Sequence, residues 1–326
     1  MTKHEILHPN YPDGIYRYEY PVLGGIPQYV QIRGENRSNP VLIFIHGGPG
    51  ASLAGVTHIV HAGWEKHFTV VNWEQRNSGK TYTANKQNAR EIAQTGTIEQ
   101  FVQDLHDLVE WLRATLRVED VILMGFSWGS AIAAEYVKHD PAYVRCLINV
   151  GQLVNYRDGV LTTCRKLLGM IPQESADAEK IRHVAHTFPE RPIWNKELMS
   201  CMRNFLPIAQ KYMINHAKTN PYSAILRSPF WTLGESIRSL MMSPSLLKAA
   251  LQTMLDYDFR KNLLLNVPVL FLFGEEDAVC PAEALKECFD EIVSPQKQIS
   301  VIPQAAHCCF YDQPETFMQK VLTFLN

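Results

Sequence analysis

The chain has 326 residues, 46% of them apolar and 10% aromatic, and sets 31 Lys and Arg against 33 Asp and Glu for a formal net charge of −2. That length admits one large domain or two ordinary ones, and the apolar fraction is enough for a large core and too high for a disordered chain. Near-neutral charge with no basic block argues against nucleic acid or an anionic membrane surface as a main partner.

The start, Met1-Thr2-Lys3-His4-Glu5, leads into polar, Pro-rich sequence rather than the apolar segment of a signal peptide. Tyr16 to Leu23 and Tyr29 to Ile32 alternate in polarity and suit an antiparallel hairpin on a sheet edge. Runs without alternation follow at Val41–Ile45, Phe68–Trp73, Val121–Phe126, Val144–Val150, Val267–Phe273 and Ile299–Ile302, as expected of strands buried on both faces. Between them, Ile98–Leu116 sets Phe101, Leu105, Leu108, Leu112 and Leu116 on one helical stripe, with Thr97 or Thr95 as its cap. Further helices fit Ser130–His139, Ala282–Phe289 and Pro314–Leu325. The alternation predicts an α/β fold with a mostly parallel central sheet flanked by helices.

The rhythm breaks between Gln152 and Asn266, where Met, Leu, Arg and Lys keep helical company in Lys196–Lys218 and Ser245–Leu255, punctuated by six prolines from Pro189 to Pro244. We read 1–151 and 266–326 as a core domain and 152–265 as a helical cap inserted between two strands. Leu263–Phe273, the most lipid-like stretch, is short and interrupted by Asn266 and Pro268, so no membrane span is expected. The seven cysteines (146, 164, 201, 280, 288, 308 and 309) form no C-x-x-C pair, which argues against a disulfide framework or a zinc cage and for reduced thiols in a cytoplasmic protein.

Gly125-Phe126-Ser127-Trp128-Gly129 is a G-x-S-x-G between a predicted strand and a predicted helix. A serine exposed on so sharp a turn needs small neighbours for the turn to close, and the helix that follows points its amides at developing negative charge. His46-Gly47-Gly48-Pro49-Gly50 follows another strand and leaves backbone N–H groups bare. We assign an oxyanion hole to the amides of Trp128 and Gly48, with Gly47 as the alternative, and give His46 a structural role. An acid and a base are then required. Glu275, Glu276 and Asp277 compete for the first role after strand Val267–Phe273, with Asp277 furthest into its loop, and His307 follows strand Ile299–Ile302. Ser127, Asp277 and His307 thus share the carboxyl rim of a parallel sheet, in the chain order serine, acid, histidine. Each alone would be an ordinary polar residue; together they predict a serine hydrolase.

On the segments His46–Ser52, Trp73–Thr81 and Gly125–Ser130 the chain resembles the α/β-hydrolases, and within them the prolyl aminopeptidase (proline iminopeptidase) group. The likeness covers roughly 1–150 and 265–326 and fades in the insert. It implies an aminopeptidase acting on small peptides through a Ser-Asp-His triad under a helical cap, with no metal or other cofactor. Two departures stand out: Glu74 and Asn77 occupy positions where that group usually has Asp and Gly. The acidic cap motif that holds the substrate's free amine in those enzymes is not found, leaving Glu235 and Glu197 as candidates. A carboxylesterase, lactonase or amidase acting on another small acyl compound is the alternative, and a non-catalytic binding protein on the same scaffold a further one.

Other features have plainer readings. Ser78-Gly79-Lys80-Thr81 ends like a phosphate-binding loop but lacks the glycine that Glu74 replaces. His58, His61 and His67 are expected on a helix surface, Glu74, Gln75 and Arg76 as an ion-paired brace beneath the glycine-rich loop. Met199, Met202, Phe205, Phe230, Trp231, Met241 and Met242 are expected mostly in the core of the cap, some of them lining an apolar pocket.

Overall fold

The computed structural model describes residues 2–214, 218, 221–240 and 244–326. Ten strands are formed among the described residues: β1 Ile15–Glu19, β2 Val22–Leu23, β3 Ile26–Pro27, β4 Val30–Gly34, β5 Val41–Ile45, β6 Thr69–Trp73, β7 Val121–Phe126, β8 Val144–Val150, β9 Val269–Gly274 and β10 Lys297–Ile302. Eight of them make one sheet in the order β1-β4-β6-β5-β7-β8-β9-β10. The pairings β1/β4 and β4/β6 are antiparallel; every other pairing in this sheet is parallel. The alternating segments near the start do form the antiparallel edge, but Val22–Leu23 leaves it to pair with Ile26–Pro27 in a separate ribbon.

The apolar runs are continuous because both faces of the sheet are covered. Side chains alternate across a strand, so Ile43, Leu123, Leu147 and Phe271 enter one core with the helices Ile98–Leu116 and Trp128–His139. Phe44, Met124, Ile148 and Leu272 enter another with Trp64, Phe310 and Phe317. Thr97 caps the first of these helices, its hydroxyl accepting from Gln100 N at 3.3 Å, and the stripe from Phe101 to Leu112 is buried.

Between β8 and β9 the chain is helical: Tyr156–Met170, Ala176–Thr187, Lys196–Met213, Leu233–Leu240 and Lys248–Asp256. Helix Lys196–Met213 ends five residues before the predicted Lys218, and Met241 and Met242 lie outside the described residues. No helix among the described residues is long and apolar enough to cross a membrane.

The brace beneath the glycine-rich loop has two parts. Arg76 is ion-paired with buried Asp104 on helix Ile98–Leu116, with Nε to Oδ2 at 2.7 Å and Nη2 to Oδ1 at 2.5 Å. Glu74 accepts instead from Ser52 Oγ at 3.2 Å and from the amides of Lys80 and Thr81. The helix-start amides that a phosphate would need are therefore occupied by a carboxylate of the same chain.

Of His58, His61 and His67, His61 departs from expectation, while His67 is exposed. His61 is buried, not on a helix surface; its ring stacks on Trp64 at 4.1 Å between centroids and packs edge-on to Phe44. The short helix Thr57–Val60 ends before it, and the turn directs it into the aromatic core. Neither ring nitrogen has a hydrogen-bond partner, and burial lowers its pKa to about 3. The unfolded chain, with an ordinary histidine near pH 6.5, takes up a proton that the folded chain refuses as the pH falls. The stability held above about pH 6.5 is thus lost progressively toward pH 3. The variant His61→Phe is expected to remove about 1.4 kcal/mol per pH unit from the slope of stability between pH 6 and 4. Urea unfolding at both pH values measures it; an unchanged slope would mean that the folded ring does accept a proton.

Candidate active site

Strand β7 delivers Ser127 to the sheet rim with φ 53° and ψ −119°, a conformation that side-chain-bearing residues rarely adopt. The neighbouring glycines explain how the turn closes. A Cβ on Gly125 would lie 2.6 Å from Gly129 O, and one on Gly129 would lie 2.0 Å from the carbonyl oxygen of Ile45. Ser130 Oγ donates to Ser127 O at 2.5 Å and accepts from Leu153 N at 2.9 Å, which ties the turn to the start of the helical segment.

The loops after β9 and β10 bring an acid to a base. Asp277 is 1% exposed, and its Oδ2 accepts from His307 Nδ1 at 2.8 Å. Its Oδ1 accepts from the amides of Val279 and Cys280, each at 2.9 Å. Glu275, exposed, accepts instead from Gln304 N, and it is Asp277 that is bonded to the histidine. The His307 ring packs on Phe126 at 4.8 Å between centroids, beside the residue that precedes Ser127.

No hydrogen bond joins the serine hydroxyl to His307 among the described residues. A nucleophile and its base often meet only when substrate is present. Burial raises the pKa of Cys280 well above the ordinary thiol value and that of Cys308 to about 12. The cysteines near the histidine are therefore neutral thiols, not anions competing with Asp277.

The glycine-rich loop lies against the serine: a Cβ on Gly47 would be 3.0 Å from Ser127 Cβ. Gly48 has φ 118°, and the amides of Gly48 and Trp128 donate to no group among the described residues. His46 fixes the loop from beneath. Its Nε2 accepts from Gln75 N at 3.2 Å, so its proton is on Nδ1 and is given to Gly47 O at 2.8 Å. Burial lowers its pKa to about 4, keeping it neutral.

A cavity of about 600 Å³ opens at Ser127 and Gly48 and extends among Met199, Met202, Phe205, Leu251 and Met254. Phe230 and Trp231 are instead buried in the aromatic core with Trp64. The structure does not bring Glu197 or Glu235 to this cavity. Glu197 faces a separate hollow with Ser200 and Asn204. Glu235 accepts from Thr232 N at 2.7 Å, capping its own helix, and lies 3.9 Å from Lys80 Nζ. Sequence reasoning missed Ser130, Cys280 and Gly151. Ser130 sits in the elbow motif and could have been read as its clamp; the other two carry no local signal.

The family described as serine aminopeptidase, S33, matches residues 36–314. Probable aminopeptidase YbaC of Bacillus subtilis (strain 168) is 26% identical over 301 residues, covering 90% of this chain and 92% of that protein. A pimeloyl-[acyl-carrier protein] methyl ester esterase of Vibrio vulnificus (strain CMCP6) is 25% identical over 208 residues, 63% of this chain and 70% of that one. The crystal structure of the proline iminopeptidase of Mycobacterium smegmatis superposes with a TM-score of 0.67 at 21% identity, covering 95% and 97% of the two chains, and shares the fold.

Gly151, having no side chain, leaves room for the paired His307 and Asp277. It has φ 59°, and a Cβ there would lie 3.1 Å from His307 Cε1 and 3.2 Å from Asp277 Oδ2. The variant Gly151→Ala is expected to displace the imidazole and to lower kcat/KM for p-nitrophenyl acetate by about 10²-fold. A folded variant with undiminished turnover would show that this contact does not position the ring.

Proposed function

The chain belongs to the serine aminopeptidase S33 family, and from that premise we propose that Ser127, His307 and Asp277 hydrolyse an amide or ester of a small substrate through an acyl-enzyme, beneath a lid formed by 152–265. The carrying observation is the 2.8 Å contact of His307 Nδ1 with Asp277 Oδ2, beside a serine on a left-handed turn of the same sheet rim.

The chemistry follows from the arrangement. Ser127 Oγ turns to His307 Nε2, gives up its proton and attacks the carbonyl carbon. The carbonyl oxygen becomes an oxyanion facing the free amides of Trp128 and Gly48, each worth about 3 kcal/mol to the transition state. His307 passes the proton to the leaving amine or alcohol as the bond breaks. It then takes a proton from water, which attacks the acyl-serine, and returns that proton to Ser127 Oγ as the acyl C–O bond breaks and the acid leaves. Asp277 fixes the imidazole tautomer and stabilises the imidazolium without itself being protonated.

Two substrate readings share this mechanism. The name of the Bacillus subtilis relative supports release of an N-terminal residue from small peptides. The second, an ester or amide of an acyl group without an amine, is supported by the cavity, whose lining contains Arg203 and no carboxylate. A fluorophosphonate probe and a panel of amino-acid arylamides and acyl esters test the shared mechanism on the native protein and on Ser127→Ala. The substitution is expected to abolish labelling and to cut kcat by about 10⁶-fold. Turnover that survives it would remove the nucleophile from the proposal.

A further inference from the structure

Resting on the reading of Ser127 as nucleophile, we infer that the site takes a large apolar acyl group, neutral or anionic at its far end, and selects against a free ammonium. The cavity volume, about 600 Å³, is within the ~300–1,000 Å³ of small-molecule pockets, and a pyrrolidine ring would leave most of it empty. Its walls between the helices Tyr156–Met170, Lys196–Met213 and Lys248–Asp256 are thioether, aromatic and aliphatic. Methionines such as Met199, Met202 and Met254 adapt to chains of varied shape.

The charge of the lining points the same way. Arg203 is its one charged residue; it is exposed on helix Lys196–Met213 and has no ion-pair partner among the described residues. The residues outside the described set (1, 215–217, 219–220 and 241–243) include no Asp or Glu, so the sequence there offers no counter-ion either. Asp277, at the reactive end, has both oxygens engaged, by His307 and by two loop amides. An ammonium brought into such walls would be desolvated without a carboxylate to pair with, which is strongly unfavourable. A carboxylate at the end of an acyl chain would instead meet the guanidinium.

The test uses p-nitrophenyl esters of acetic, octanoic, 8-aminooctanoic and octanedioic acid (the last as monoester), with fluorophosphonate labelling of Ser127 in parallel. Octanoate is expected to exceed acetate in kcat/KM by at least about tenfold, from the buried methylenes. The ω-carboxylate is expected to exceed the ω-ammonium by at least about tenfold, from the sign of the charge at the rim. The exposed-site variant Arg203→Glu should cancel or reverse the second ratio while leaving the first, and Met202→Trp, which fills the cavity, should depress octanoate relative to acetate. Equal turnover of acetate and octanoate, or preference for the ammonium ester, with Ser127 still labelled, would overturn the inference and leave the nucleophile standing. If Ser127 takes no label and no ester is cleaved, the reading of the site fails, and the inference with it.

Discussion

The backbone of Gly129 lies so close to strand β5 that a single added carbon would sit 2.0 Å from the carbonyl of Ile45. The rest of the site depends on that approach. It sets the start of helix Trp128–His139 against the central parallel strands, so that the turn carrying Ser127 projects from the rim and not from a face. The same closeness places the glycine-rich loop after β5 against the serine, with a Cβ on Gly47 only 3.0 Å from Ser127 Cβ. Amides able to receive an oxyanion thus come from two strand ends that neighbour each other in the sheet. No hydrogen bond of the loop itself would achieve this; backbone-to-backbone packing does.

Charge is buried around this frame in two different ways. Arg76 and Asp104 are both nearly inaccessible and are paired in a two-point geometry. Removing either partner from such a pair strands the other, typically at about 3–5 kcal/mol, so the pair is better understood as fixing the position of the loop after β6 than as adding stability. Glu74 is fully buried without a full ionic partner, held by a hydroxyl and two amides. Burial raises its pKa to about 8, with the Lys80 and Thr81 amides pulling the other way. Three donors converging on its carboxylate favour the charged form. Gly79 allows the arrangement, since a Cβ there would fall 2.2 Å from Glu74 Oε2.

The chemistry of the rim was legible in the sequence because glycines and strand ends leave local marks. The elbow, the glycine-rich loop and the runs that became β5, β7 and β8 could be read from residue type and spacing alone. The choice among Glu275, Glu276 and Asp277 could not be derived, because one residue of loop geometry decides which carboxylate turns inward; Asp277 had only its depth in the loop to favour it. The parts that were not legible depend on contacts between distant segments. His61 is expected on a helix surface, yet a helix that ends one residue earlier turns it into the aromatic core. Glu197 and Glu235 met the requirement for an acid in the helical segment, but their faces were fixed by packing and capping that no local pattern encodes. Gly151 is the clearest case: its importance lies wholly in the imidazole and carboxylate that two later loops bring beside it.

The division of labour along the chain has a physical consequence. The serine, the acid, the base and the free amides come from the sheet, whereas the cavity walls come mostly from the helices between β8 and β9. Apolar walls do more than admit an apolar substrate. They lower the polarity around the amides of Gly48 and Trp128, and a dipole directed at a developing oxyanion is worth more where the surroundings polarise less. The same low polarity makes the cavity hostile to any charge that it does not itself balance. A carboxylate in that wall, as the binding of an amine would require, would set a second negative charge near the forming oxyanion and weaken the gain from the two amides. A guanidinium at the rim carries no such penalty. Walls without acids, with a lone cation at their edge, are the electrostatic complement of a reaction that builds negative charge on oxygen.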